Sequence, residues 1–139
     1  MTSSGPGPQS AGTDEALAAR FRRSLECDSS ALRDLTRRGR WTSARMLVGI
    51  GDVQVLVEVR EGALMLHAEV PLLCSWDFCV RGPAHAWASL WRTTPEPGRH
   101  DLFALTKRGD LRVEGNLQPF MASLRYFKDL LAMPRQVLV

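Results

Sequence analysis

The sequence predicts a single α+β domain in which antiparallel strands are preceded and followed by helices. The length supports one domain, because 139 residues is well below the size at which cores divide. The composition, 45% hydrophobic and 24% charged, is that of an ordinary globular protein. Alternating apolar positions occupy the middle of the chain, whereas apolar positions spaced three or four apart lie on both sides of it.

Residues 1–13 predict a flexible tail, since Gly, Pro, Ser and Thr leave almost nothing to bury. The domain is then expected over residues 14–139. Its first helix should start after Thr13, the candidate N-cap, and a second short helix should run from Ser30. Gly39 interrupts a cluster of arginines there and is the expected C′ residue. Such a cluster suits a helix C-terminus, and contact with an anion or a membrane surface is the alternative.

Four strands are predicted close together in the middle of the chain. They are Ala44–Ile50, a strand of alternating valines from Val53 to Val59, Ala63–Val70 and Cys74–Arg81. The valines give the second strand one face made entirely of Val. In the fourth strand, Trp76 and Phe78 share one face. Because connections this short join antiparallel neighbours, the four strands predict a meander.

The second half alternates helices with one more strand. The predicted elements are a helix from Pro83, a short helix from its cap Asp101 to Gly109, a fifth strand at Leu111–Val113, and a long helix from Leu117 to Met133 that Pro134 terminates. The last helix is apolar around more of its circumference than burial of one face requires. It is therefore either a plain core helix or a helix between the sheet and a second apolar body, which would be a ligand or a partner.

The residue types that support catalysis are present without the spacings that catalysis needs. The three His and three Cys show neither H-x-x-x-H nor C-x-x-C spacing, so no metal site is predicted. Without a nucleophile elbow or a glycine-rich phosphate loop, no catalytic residue and no cofactor are predicted, and Asp77 and Glu58 are expected to be solvated. A formal net charge of +3 is too mild to favour nucleic acid. The expected function is not enzymatic.

The cytoplasm is the expected compartment. No apolar run reaches the ~18–20 residues of a membrane span, and the first residues lack the features of a signal peptide. Cys74 and Cys79 are five residues apart in a strand and therefore lie on opposite faces. With Cys27 the number of cysteines is odd, so reduced thiols are expected.

Residues from about 74 to 133 carry a recognisable order of parts. They are the strand Trp76–Arg81, the short helices Pro83–Trp91 and Leu102–Lys107, the segment Gly109–Gly115 and the apolar helix Leu117–Met133. The segment Gly109–Gly115 reads Gly-x-Leu-x-Val-x-Gly and is the most specific of these parts. In this order of parts, the chain resembles the sterol carrier protein type-2 superfamily of lipid-binding domains. Asn116 stands where Asp is usual, which is a conservative change at an N-cap.

The resemblance implies a five-stranded, mostly antiparallel sheet covered on one face by helices. It also implies an apolar tunnel between sheet and helices for fatty acyl chains, acyl-CoA, phospholipid or sterol, and no catalytic residue. By the periodicity of the faces, the expected walls of this cavity are Trp76, Phe78, Trp87, Trp91, Phe103, Phe120, Leu124, Phe127 and Leu131. Each of these residues could equally be plain core.

Two hypotheses of function follow. The leading one is binding or transfer of a hydrophobic small molecule by a monomer or homodimer, with no nucleic acid and at most transient membrane contact. The alternative is a protein-interaction or accessory module whose tunnel is filled by side chains, to which the four tryptophans would contribute. Such a module would present its last helix and the apolar end at residues 137–139 to a partner.

Overall fold

The computed structural model describes residues 6–67, 70, 75–92 and 102–136, with side chains from residue 13 onward. The helices are α1 (Pro6–Glu26), α2 (Ser30–Arg38), α3 (Ala84–Leu90), α4 (Leu102–Arg108), α5 (Gln118–Ala122), α6 (Leu124–Leu131) and α7 (Met133–Gln136). The strands are β1 (Ala44–Ile50), β2 (Val53–Arg60), β3 (Ala63–His67), β4 (Phe78–Gly82) and β5 (Arg112–Gly115). Within these residues, no helix combines the length and the apolarity needed to span a membrane.

The five strands form one sheet in the order β3-β2-β1-β4-β5. β1 and β4 pair in parallel and the other neighbours pair antiparallel, which confirms the five-stranded, mostly antiparallel sheet. The predicted meander is wrong at one step, because β4 lies beside β1 and not beside β3. β3 ends at His67 and β4 begins at Phe78, so their connection is longer than the sequence indicated. The connection therefore does not force β3 and β4 into a hairpin, and β4 can pair with β1 instead.

The two faces of the sheet differ in what covers them. The alternating valines of β2 share one face, as predicted. That face lies in or against the main core under the helices, together with Phe78 and Val80 of β4. Leu47, Leu56 and Cys79 form a separate small cluster on the opposite face. We call the face under the helices the helical face, and the face that carries Leu47, Leu56 and Cys79 the outer face.

α1 starts about two turns earlier than the sequence indicated. Its first residue is Pro6, so Thr13 lies inside the helix and the prediction that it is the N-cap is wrong. The buried carboxylate of Asp14 accepts the backbone N–H of Asp52 at 2.9 Å, which fixes α1 to the turn between β1 and β2. The mobility expected of residues 1–13 stays a prediction.

Gly39 follows α2, but not as the left-handed C′ residue that the sequence predicts. Its φ is −93°, a value open to any residue. The requirement for glycine is one of space, because a Cβ at this position would collide with the ring of Tyr126. At the other end of α2, the Ser29 side chain accepts the N–H of Leu32 and caps the helix.

The predicted long C-terminal helix is in fact three helices, α5, α6 and α7. The chain leaves helical geometry at Ser123, where φ is −126° and ψ is 44°, and again at Ala132. Pro134 does not end the last helix but lies in the first turn of α7. There its missing N–H is tolerated, whereas in a continuous helix its ring would clash with the carbonyl of Leu130. Asp101, the predicted cap of α4, lies outside the described residues.

Candidate functional site

Two tryptophans of the α3 region belong to the packed core on the helical face. Trp87 and Trp91 are fully buried, and their ring centroids are 5.5 Å apart. The indole N–H of Trp87 donates to the carbonyl of Gly49 at 2.8 Å, and that of Trp91 donates to the carbonyl of Leu131 at 2.7 Å. Phe21 of α1 stacks on Trp91. Moving either indole would leave buried polar groups without a hydrogen bond, so these rings are fixed parts of the structure.

A second group of rings, which we call the phenylalanine cluster, consists of Phe78, Phe103, Phe120 and Phe127. Between ring centroids, Phe78 lies 5.2 Å from Phe120 and 5.0 Å from Phe127. Phe120 in turn lies 6.1 Å from Phe127 and 6.3 Å from Phe103. These spacings are those of favourable aromatic pairs. The cluster joins β4 to α4, α5 and α6 through rings that carry no polar atom.

The phenylalanine cluster reaches the surface of the protein. Phe78 and Phe127 are fully buried, whereas Phe103 is 38% exposed. In the α5 region, which carries Phe120, Leu117 and Met121 are exposed by 39% and 54%. The ammonium of Lys128 lies 5.0 Å from the ring centroid of Phe103, so a cation borders the exposed ring. Contacting apolar side chains therefore lead from the helical face of the sheet to solvent.

Eight of the nine predicted wall residues lie on the helical side of the sheet. Besides the two tryptophans and the phenylalanine cluster, these are Leu131, which is fully buried, and Leu124, which is partly buried against the core. Among the described residues they pack against one another and against neighbouring core residues, so a ligand inserted between these side chains would have to displace them. Their contact with a ligand stays a prediction.

Trp76 is the exception, and its predicted position beside Phe78 is wrong. β4 begins only at Phe78, and a bend at Asp77 breaks the alternation that would have given the two rings one face. The ring of Trp76 lies instead against Gly115, where it leaves no room for a Cβ. Trp76 lines a pocket on the outer face of the sheet.

This outer pocket has a volume of about 660 Å³, within the range of small-molecule sites. It is lined by Leu47, Gly49, Gly51, Asp52, Gln54, Val70, Trp76, Cys79, Arg81 and Glu114. Arg81 and Glu114 form an ion pair of 2.9 Å at its rim. Burial raises the pKa of the Cys79 thiol, so the thiol stays protonated and uncharged at neutral pH. The sequence did not reveal the pocket because its pattern predicts Val70 and Trp76 in strands, whereas both lie outside β3 and β4.

The described residues offer little to a metal ion or to thiol chemistry. Among them, no three His, Cys, Asp or Glu side chains come close enough together to hold a metal. Cys27 and Cys79 are free thiols, whereas Cys74 lies outside the described residues. The structure presents apolar contact on the helical face, whereas the lining of the outer pocket mixes apolar with charged side chains.

Comparison with solved structures identifies the fold. A crystal structure of sterol carrier protein 2 matches with a TM-score of 0.60 at 16% identity, over 88% of this chain and 95% of that one. This chain has the sterol carrier protein 2 fold. The apo form of sterol carrier protein 2 from Yarrowia lipolytica matches with a TM-score of 0.54 at 12% identity, over 90% of this chain and 94% of that one. A UbiJ-SCP2 ubiquinone synthesis protein matches with a TM-score of 0.51 at 16% identity, over 91% and 97%.

The likeness to sterol carrier protein 2 is one of structure. No family model and no curated protein matches the sequence. At 12–16% identity, the structural match establishes the fold alone.

Proposed function

We propose that the protein binds a hydrophobic small molecule along the phenylalanine cluster and carries it without catalysing a reaction. The ligand class is a fatty acyl chain, acyl-CoA, phospholipid or sterol-like molecule. The observation that carries the proposal is the unbroken series of ring contacts from buried Phe78 to exposed Phe103. The shared fold with sterol carrier protein 2 supports it as an analogy.

The phenylalanine cluster is a better ligand site than the two tryptophans of the α3 region. A phenylalanine ring that moves aside leaves no polar group unpaired, whereas Trp87 or Trp91 would each break a buried hydrogen bond. The cost of opening the cluster is therefore lost apolar contact. A ligand can restore that contact with its own alkyl surface, at roughly 0.8 kcal/mol per buried CH₂ group.

Displacement of side chains has a consequence for affinity. If the open arrangement is a minor population in the free protein, the apparent dissociation constant rises in inverse proportion to that population. Selectivity for head groups should be weak, because apolar burial and not a polar contact supplies the affinity.

The second candidate function is an accessory module with a filled interior. The observation that favours it is the packing of the eight helical-face residues against one another. In that case the surface around the last helices would contact a protein partner, and purified protein would contain no lipid. For either function we propose that the protein works in a reducing compartment such as the cytoplasm. The free thiols of Cys27 and Cys79 support this.

The test uses two methionines that are equally exposed. Met121 follows Phe120 of the phenylalanine cluster in α5, whereas Met65 lies on the edge strand β3, and each is 54% exposed. Binding of a fluorescent fatty acid should be weakened by Met121→Glu, because a carboxylate at the rim opposes entry of an alkyl chain. Met65→Glu should leave binding unchanged. Equal effects of the two substitutions, or no binding by the wild type, would overturn the proposal.

A further inference from the structure

Trp41 is 86% exposed, more than any other large apolar side chain among the described residues. Tryptophan is highly buried on average, so a ring left almost wholly in water is an informative observation. Arg40 precedes it, and the Arg40 guanidinium carbon lies 5.6 Å from the centroid of the Trp41 ring. The two side chains form a cation–π pair that projects from the surface.

The backbone holds this pair out in a fixed position. The N–H of Thr42 donates to the carbonyl of Gly39 at 2.8 Å, which closes a tight turn with Arg40 and Trp41 at its centre. The ring of Tyr126 packs against Gly39. The Thr42 carbonyl accepts the N–H of Gly62, and its hydroxyl donates to the Ser123 hydroxyl at 2.9 Å. These contacts therefore hold the turn in a conformation that leaves Trp41 exposed.

The surroundings of the turn are basic. The charged residues of α2, the turn, the adjoining β2–β3 turn and α6 include Arg37, Arg38, Arg40, Arg125 and Lys128, against Asp34, Glu61 and Asp129. Arg38 pairs with both Asp34 and Asp129, and Asp34 also pairs with Arg37. Within the described part of the chain, Arg40 makes no ion pair, and its other contact is with the Arg37 carbonyl. Among these residues, the charge that has no ion-pair partner at the turn, that of Arg40, is therefore positive.

We propose that the turn Gly39–Thr42 docks the protein onto an anionic lipid bilayer, with Trp41 in the headgroup layer and Arg40 against lipid phosphates. Trp is favoured at membrane interfaces because its ring has an apolar body and one polar N–H. Basic side chains add attraction to anionic lipid. A convex tip with one protruding ring fits a deformable headgroup layer, whereas a protein interface needs a broad, complementary surface.

Docking at this turn would also serve ligand exchange, a step that rests on the proposed function. The bond between Thr42 and Ser123 joins the turn to the junction of α5 and α6. Met121, which is exposed and follows Phe120 of the phenylalanine cluster, lies two residues before Ser123. The turn and the rim of the cluster would thus approach the same bilayer, and a lipid could pass between them with little exposure to water.

The test is flotation of the full chain with vesicles of phosphatidylcholine alone and of equal parts phosphatidylcholine and phosphatidylglycerol. Wild type should bind the mixed vesicles and release them in high salt. Trp41→Ser should lower the partition coefficient at least about fivefold, as should Arg40→Gln, because each basic or interfacial side chain contributes on that scale. The matched control is Trp76→Ser, which removes a part-exposed tryptophan from the outer face and should leave binding unchanged.

Equal vesicle binding by wild type and Trp41→Ser would overturn the proposal, as would equal losses in Trp41→Ser and Trp76→Ser. So would a concentration-dependent dimer that Trp41→Ser abolishes while wild type ignores vesicles, since Trp41 would then contact a second copy. Fluorescent fatty acid binding without vesicles separates the two proposals. If it fails while Trp41-dependent vesicle binding holds, the ligand site is wrong and the docking surface stands.

Discussion

The indole N–H of Trp87 donates to the backbone carbonyl of Gly49, 2.8 Å away, and so ties α3 to the central strand β1. Trp87→Phe keeps an aromatic ring but removes this donor. The free energy of unfolding should fall by about 1–3 kcal/mol, because the buried carbonyl loses a partner and the smaller ring leaves space. Urea denaturation measures the change.

Trp76→Phe is the control for this prediction, since that ring is part exposed on the outer face. It should alter stability by less than about 0.5 kcal/mol. Similar losses for the two substitutions would contradict the assignment of Trp87 to the fixed core.

Leu124 and Leu130, both on α6, differ in burial. Leu130 is fully buried, whereas Leu124 is partly buried against the core. Leu130→Ala should cost ~2–5 kcal/mol, and Leu124→Ala should cost less than half of that, because fewer atoms surround it. Leu124→Trp should be tolerated and should reduce fatty acid binding by occupying the ligand's space. Denaturant melts and a fluorescent fatty acid measure both effects.

An opposite result for Leu124 has a clear meaning. If Leu124→Ala lowers the free energy of unfolding as much as Leu130→Ala does, and Leu124→Trp does not fold, the region around α6 is tightly packed. The phenylalanine cluster would then be closed to ligand, and this result would favour the accessory-module hypothesis.

All three cysteines should be free thiols, and they should differ in reactivity. A thiol reagent should find three per chain under denaturing, non-reducing conditions, because the chain has three cysteines and none is expected in a disulfide. In the native state Cys79 should react slowly, since burial raises its pKa and keeps it protonated. Its rate should increase as the pH rises toward that pKa. Finding one thiol per denatured chain would reveal a disulfide.

Local patterns predicted much of the fold. The alternating valines of β2 and the turn after Ile50 gave strand positions that the structure confirms. The parallel pairing of β1 with β4 could not be predicted, because strand alternation specifies faces and not neighbours. The breaks at Ser123 and Ala132 were missed because α5 to α7 keep an apolar periodicity through both.

The candidate site was predictable only in part. Periodicity brought eight of the nine wall residues to the helical side, but a single bend at Asp77 moved Trp76 to the outer face. The exposure of Trp41 had no signal in the sequence, since it depends on the ring of Tyr126 and the side chain of Ser123, distant in the chain. Contacts of that kind are tertiary, and no local pattern encodes them.

The most direct test of the proposed ligand site is to locate a bound fatty acid by photolabelling. Purified protein is irradiated with a fatty acid that carries a diazirine at its methyl end, and the labelled peptides are identified by mass spectrometry. We expect labels in α4, α5 and α6, around Phe103, Phe120 and Phe127, and competition by unlabelled fatty acid. Labels confined to the outer pocket around Leu47 and Trp76, or no competed label at all, would contradict the proposed site.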